Sequence, residues 1–326
     1  MADLAVIGTG AWGTALSIAE TRAGRCVLLW GRDSERIAEL ARSRENRRDL
    51  PGVPLPEGLV LSADPERLAA IDLWLVAVPV QALRALFSRL PPGPRTVVLC
   101  AKGVERQTLA TPSAVLAATL PAARPAVLSG PSFAAEVARG LPTALTLAAP
   151  WLAEARELAA RLTTPVLRLY PSDDLTGVEL GGALKNVIAI AAGAVTGCGL
   201  GENARAAVVT RGLAEIARLV AALGGRRETV AGLSGLGDLL LSATSSSSRN
   251  FRFGLELGRG RPLAELTAHG SPLAEGFWTA PAAAALGERL GVELPVTQAV
   301  AAVVEGRASV ADAVATLLAR PLAERE

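Results

Sequence analysis

The sequence has little of almost every side chain that changes charge near neutral pH. In 326 residues it holds one histidine, His269, and one tyrosine, Tyr170. Of its 33 basic residues only Lys102 and Lys185 are lysine; the other 31 are arginine. With one histidine and no His/Asp/Glu cluster at ligand spacing, no resident metal site is expected. The three cysteines, Cys26, Cys100 and Cys198, are too few and too scattered for a disulfide framework, and no Cys-x-x-Cys pair suggests zinc. That usage points to a reducing compartment. An excess of one charge is also missing: the formal net charge is +2, so there is little drive toward nucleic acid or an anionic membrane. The longest apolar runs, near Leu73–Val80 and Val187–Val195, are too short to span a bilayer, and no membrane insertion is expected. The chain opens into a strand pattern without a basic segment and cleavage site, so no signal peptide and a cytoplasmic location are expected.

Half of the residues are apolar and 20% are charged, the balance of a globular protein rather than a disordered one. The length is about twice that of an ordinary domain, enough for two cores. Arginine stands almost wherever plain positive charge is wanted. Arginine does not readily give up its proton, whereas a desolvated lysine can. The two surviving lysines are therefore candidates for proton chemistry.

The first half alternates strand and helix patterns. Leu4–Ile7, Cys26–Trp30, Asp72–Val78 and Thr96–Ala101 read as buried strands. Ala126–Ser129, Ala144–Leu147 and Val166–Tyr170 are shorter ones, and the charged stretch Arg32–Arg48 reads as helical. Strands alternating with helices predict a doubly wound, mostly parallel sheet. From about Ser172 strand patterns become few, and Val178–Val195 and Ala204–Leu223 read as long helices. The expected organisation is a dinucleotide-binding α/β domain over 1–171 and an all-α domain over 172–326, with Pro171–Asp174 at the boundary and Ser245–Ser248 as a loop.

Gly8-Thr9-Gly10-Ala11-Trp12-Gly13 follows the first strand and opens a helix, the context that gives such a glycine loop its meaning. Gly8 permits the tight turn, Gly10 lets a pyrophosphate reach the backbone, and Gly13 allows close helix–strand packing. At the end of the second strand, an acidic residue would bond the ribose 2′-hydroxyl of NAD, and arginine would pair with the 2′-phosphate of NADP. The chain reads Trp30-Gly31-Arg32-Asp33. Arg32 favours NADP(H); Asp33 leaves NAD(H) open, unless it or Ser34 simply caps the next helix.

Lys185 lies in Gly181-Gly182-Ala183-Leu184-Lys185-Asn186, read as the first turns of an apolar helix. A desolvated lysine there would have its pKa lowered and suit acid/base work. Lys102, in Ala101-Lys102-Gly103, follows a strand whose C-terminal end should face the ligand crevice. His269 falls at the end of a helical pattern and reads as a helix-end residue rather than a catalytic one.

These motifs, with AVP at 77–79, SGPSFAAEVARGLPTA at 129–144, GVELGGALKNVIAIAAG at 177–193, GLSGLGDLLLSAT at 232–244, SRNFRFG at 248–254 and AEG at 274–276, occur in an order that resembles bacterial NAD(P)-dependent glycerol-3-phosphate dehydrogenase over nearly the whole chain. The resemblance implies a Rossmann-type domain and an all-α domain in the manner of 6-phosphogluconate dehydrogenase, with substrate between them. It implies reduction of dihydroxyacetone phosphate to sn-glycerol 3-phosphate, feeding glycerophospholipid synthesis. Lys185, Lys102 and Asp238 become the catalytic set. Gly8, Gly10, Ala11, Trp12, Gly13, Arg32, Lys102, Ala134, Arg249, Leu273 and Glu275 become cofactor contacts. Lys102, Gly130, Ser132, Lys185, Asp238, Ser248, Arg249 and Asn250 become contacts to the phosphorylated triose.

Ser132 stands where relatives often have threonine, and Trp12 where many have another aromatic. Asp238 could equally hold Lys185, bond a substrate hydroxyl or cap a helix. The apolar helical half leaves room for a homodimer interface, although no heptad seam marks one. Two other readings stay open: a reductase of another keto or hydroxy acid on the same architecture, and a non-catalytic NADP sensor. A sensor would have no use for Lys185.

Overall fold

The computed structural model describes residues 2–93, 95–268 and 274–319. The chain divides into two compact units, residues 1–102 with 110–179, and residues 103–109 with 180–326. The break between Glu179 and Leu180 comes later than the change of sequence character near 172. The reason is that Leu175 and Val178 still pack in the core of the first unit, whereas Leu180, Ala183 and Leu184 belong to that of the second.

The first unit is built on an eight-stranded sheet of order β10-β9-β8-β7-β6-β1-β2-β5. Its strands are β1 (Leu4–Ile7), β2 (Val27–Trp30), β5 (Val60–Ser62), β6 (Leu73–Val76), β7 (Thr96–Leu99), β8 (Arg124–Ser129), β9 (Thr143–Ala148) and β10 (Leu167–Ser172). A separate antiparallel hairpin joins β3 (Glu45–Asn46) to β4 (Leu50–Pro54). Successive strand residues face opposite ways. Leu4 and Val6 enter one core, and Ala5 and Ile7 the other. A sheet buried on both faces is why these strands read as unbroken apolar runs.

The helices of this unit are α1 (Ala11–Arg22), α2 (Ser34–Ser43), α3 (Val80–Phe87), α4 (Pro112–Thr119), α5 (Ala134–Ala138) and α6 (Leu152–Leu162). One sequence expectation needs correction here. The charged stretch 32–48 is not one helix, because α2 stops at Ser43 and the chain turns into β3. The sheet is mostly parallel, as expected, with one reversal between β8 and β9, which run antiparallel. Strand direction depends on the connection between strands, not on their residue pattern.

The second unit is helical: most of α7 (Leu175–Gly197), then α8 (Gly201–Ala222), α9 (Arg227–Val230), α10 (Asp238–Thr244), α11 (Arg249–Gly258), α12 (Leu263–Leu266), α13 (Glu275–Leu290), α14 (Pro295–Val304) and α15 (Val310–Leu318). Contrary to the run-length expectation, α7 is long and apolar enough to cross a membrane, with mean hydropathy 1.5. Its apolar stretch is 89% buried within the fold, the condition of a core helix.

Candidate active site

The polar features of the first unit lie at one end of its parallel strands, at the switch point where β1 separates β2 from β6. Gly8 has φ +118°, and a Cβ there would stand 2.6 Å from the Ala77 carbonyl oxygen. A Cβ on Gly13 would stand 2.0 Å from the Gly8 carbonyl oxygen, so α1 starts hard against the turn. At Gly10 a Cβ would meet nothing within 4 Å. Gly10 opens α1, and no side chain caps that helix start. Open space at a helix N-terminus with unclaimed backbone N–H groups suits a pyrophosphate. Ala11 and Trp12 occupy the first turn, both half-buried. Beside Trp12, burial pushes the Cys100 thiol up to about 12, so Cys100 is a packing residue.

At the ribose end, Arg32 is exposed. Asp33 caps α2, its Oδ1 accepting from the Arg36 N–H at 3.1 Å. Lys102 follows β7, and its Nζ donates to the Gly130 carbonyl oxygen at 3.3 Å. The Ser132 hydroxyl donates to the same oxygen at 3.1 Å. Gly130 has φ +146°, with Leu145 packed where a Cβ would sit. Lys102, Gly130 and Ser132 thus form one group at the ends of adjacent strands, and Ala134 opens α5 next to them.

In the second unit Lys185 lies about three turns into α7, not in its first turns as the sequence suggested, because the helix already begins at Leu175. Lys185 is 8% exposed and Asp238 1%. The lysine Nζ donates to Asp238 Oδ1 at 2.9 Å and to Ser242 Oγ at 2.7 Å. Asp238 follows a π-helical turn over Leu233–Gly237. The Asp238 carboxylate is directed to Lys185, and the cap position of α10 belongs to Gly237. Ser242 comes one turn later on the same helix face.

Asn250 is buried, with Nδ2 donating to Asn186 Oδ1 at 2.8 Å and Oδ1 accepting from the Gly276 N–H at 2.9 Å. It ties α7, α11 and α13 together. The backbones of α7 and α11 touch: a Cβ on Gly254 would stand 2.0 Å from the Ile190 carbonyl oxygen, and one on Gly193 2.0 Å from that of Phe251. Ser248 caps α11, accepting from the Phe251 N–H at 3.3 Å. Arg249 beside it is exposed, and Glu275 is half-buried at the start of α13. Leu273 and His269 lie outside the described residues.

The family described as NAD-dependent glycerol-3-phosphate dehydrogenase matches residues 3–155 with its N-terminal part and 174–315 with its C-terminal part. The chain belongs to that family. Glycerol-3-phosphate dehydrogenase [NAD(P)+] of Methylobacterium radiotolerans is 53% identical over 97% of this chain and 96% of the relative. That of Paracoccus denitrificans is 51% identical over 99% of each. The crystal structure of glycerol-3-phosphate dehydrogenase from Coxiella burnetii superimposes with a TM-score of 0.92 at 38% identity, over 98% of this chain and 99% of that one. D-mandelate dehydrogenase, at 14% identity and a TM-score of 0.62, shares the fold alone.

Three polar residues of this family member escaped the sequence reading. Ser242 stands four residues after Asp238, a spacing that signals a shared helix face. Asn186 adjoins Lys185 but shows its purpose only through Asn250. Asn46, wholly buried, sits in the stretch read as helical.

Proposed function

We infer that the protein reduces dihydroxyacetone phosphate to sn-glycerol 3-phosphate, reversibly, with NADPH or NADH. The observation that carries this reading is the buried Lys185–Asp238–Ser242 cluster in a chain of this family. The nicotinamide, when bound, supplies the hydride to the ketone carbon. Lys185 donates the proton from Nζ to the oxygen that becomes a hydroxyl, and takes it back in the reverse direction. Asp238 and Ser242 hold the Nζ in place. Lys102, oriented by the Gly130 carbonyl, meets the substrate oxygen with Ser132 beside it. Arg249 presents an exposed guanidinium to the phosphate, a charge-assisted and forked contact. Asn250 and Ser248 hold the start of α11 on which that arginine stands.

Gly8, Gly10, Ala11, Trp12 and Gly13 hold the pyrophosphate, and Ala134 and Glu275 line the cofactor further along. Arg32 selects the 2′-phosphate, because Asp33 is spent on capping α2; NADPH is therefore the better cofactor. The enzyme works in the cytoplasm, where its product feeds glycerophospholipid synthesis; three free thiols support that setting. The test is NADPH absorbance with purified protein and dihydroxyacetone phosphate. Oxidation that disappears with Lys185→Ala supports the reading. NADPH binding without oxidation of either cofactor refutes it and favours a sensor.

A further inference from the structure

Asn46 is 0% exposed, at the tip of a hairpin rather than in a regular core. Its Nδ2 donates to the Thr9 carbonyl oxygen at 2.9 Å and to Thr14 Oγ1 at 2.7 Å. Its Oδ1 accepts from the Asp49 N–H at 3.2 Å and from the Arg36 guanidinium. The amide cannot be turned over. Thr9 offers only an acceptor on one side and Arg36 only donors on the other, so a flip would set like against like twice.

Thr9 lies between Gly8 and Gly10, and Thr14 directly follows Gly13. One side chain from a hairpin distant in sequence therefore grips the glycine loop at both ends. On its other side Asn46 holds Arg36, which also pairs with Asp49 at 3.0 Å and with Glu39 at 3.0 Å. Arg36 is on α2, the helix capped by Asp33 next to Arg32. The hairpin is itself anchored in the core by Leu50 and Val53. Asn46 thus joins the glycine loop, through two hydrogen bonds, to the helix that follows Arg32, through one to Arg36.

We propose that Asn46 is a positioning residue for the dinucleotide: it holds the glycine loop open at Gly10 and in register with α2, and so sets cofactor affinity without touching the reacting atoms. This rests on the dinucleotide reading given above. A glycine loop is free to relax when its side-chain tether is cut, and the lost order must then be restored by the ligand on binding.

The test is Asn46→Asp in the full-length enzyme. It keeps the acceptor for Asp49 and Arg36 but sets a carboxylate oxygen against the Thr9 carbonyl. NADPH affinity is read directly by quenching of protein fluorescence, alongside steady-state kinetics and a thermal melt. The expected result is a dissociation constant and a KM for NADPH raised about tenfold or more. The KM for dihydroxyacetone phosphate and kcat at saturating NADPH should move less than about twofold, a split that general loosening of the fold would not produce. Thr14→Val, which removes the hydroxyl that accepts from Asn46 and itself donates to the Thr9 carbonyl oxygen at 3.5 Å, is expected to weaken NADPH binding in the same direction and carries the test if Asn46→Asp does not fold. A folded Asn46→Asp or Thr14→Val protein with wild-type NADPH affinity overturns the assignment, as does a loss confined to kcat. Wild-type enzyme that binds no NADPH overturns the dinucleotide reading, and the role of Asn46 with it.

Discussion

The contact between α7 and α11 makes a sharp prediction for Gly254→Ala. An alanine Cβ would lie 2.0 Å from the Ile190 carbonyl oxygen, whereas such contacts essentially never fall below 3.0 Å. The helices must therefore separate by about 1 Å, the difference between the two distances. The obstacle is backbone, so no rotamer change relieves it. Two effects oppose each other. Glycine to alanine inside a helix is intrinsically worth up to about 1 kcal/mol in favour of the variant. Overpacking a tight contact costs about 1–3 kcal/mol, and this one forces two backbones apart. The strain should win, lowering Tm by several degrees in a unit of this size. The same displacement moves Asn250 and Arg249 relative to Asn186 and Lys185, and a misplacement of about 1 Å can cost about a hundredfold in turnover. Thermal melting and NADPH oxidation with dihydroxyacetone phosphate measure the two effects. A Gly254→Ala protein with raised Tm and unchanged kcat/KM would show that the helices do not touch there, and would refute the reasoning.

Removing the Asp238 carboxylate (Asp238→Ala) takes the ion-pair partner at 2.9 Å from a lysine that stays buried; a loss of about 3–5 kcal/mol in denaturant unfolding is expected, with kcat down at least a hundredfold. Wild-type turnover in that variant would remove Asp238 from the chemistry. Arg32→Ala should raise the KM for NADPH about tenfold while leaving that for NADH nearly unchanged, and an equal change in both would deny Arg32 the 2′-phosphate. Burial pushes the Glu20 carboxyl up from 4.5 to about 7 despite Arg25 at 2.7 Å. A raised carboxyl pKa means that the folded state holds the proton longer, so this contribution is full below pH 4.5 and lost as pH rises through about 7. Relative to Glu20→Gln, the wild type should therefore lose about 3 kcal/mol between pH 4.5 and 8, read from denaturation midpoints. A difference independent of pH would contradict the burial argument.

The glycine loop and the first, second, sixth and seventh strands were legible because a strand buried on both faces must be apolar at every position. Leu4–Ile7 and Leu73–Val76 announce themselves in that way. The β3–β4 hairpin was not legible: two residues of one strand, two prolines in the other and flanking charges carry no period. The edge strand β5, three residues long, was missed for the same reason. The reversal at β9 was invisible because side-chain alternation is the same in either direction.

Composition and local order by themselves determined the class of the fold and singled out the glycine turn, Lys185 and Lys102 as candidates, since each depends on neighbours within a few residues. Partners far apart in the chain were decided by tertiary structure alone. Lys185 meets Asp238 across 53 residues, Asn250 meets Asn186 across 64, and Asn46 reaches Thr9 across 37. A buried polar group must find a partner, but which one it finds depends on where packing brings the backbone. Here that is set by glycines that let α7 and α11 touch and by a hairpin whose leucine and valine pull Asn46 under the nucleotide loop.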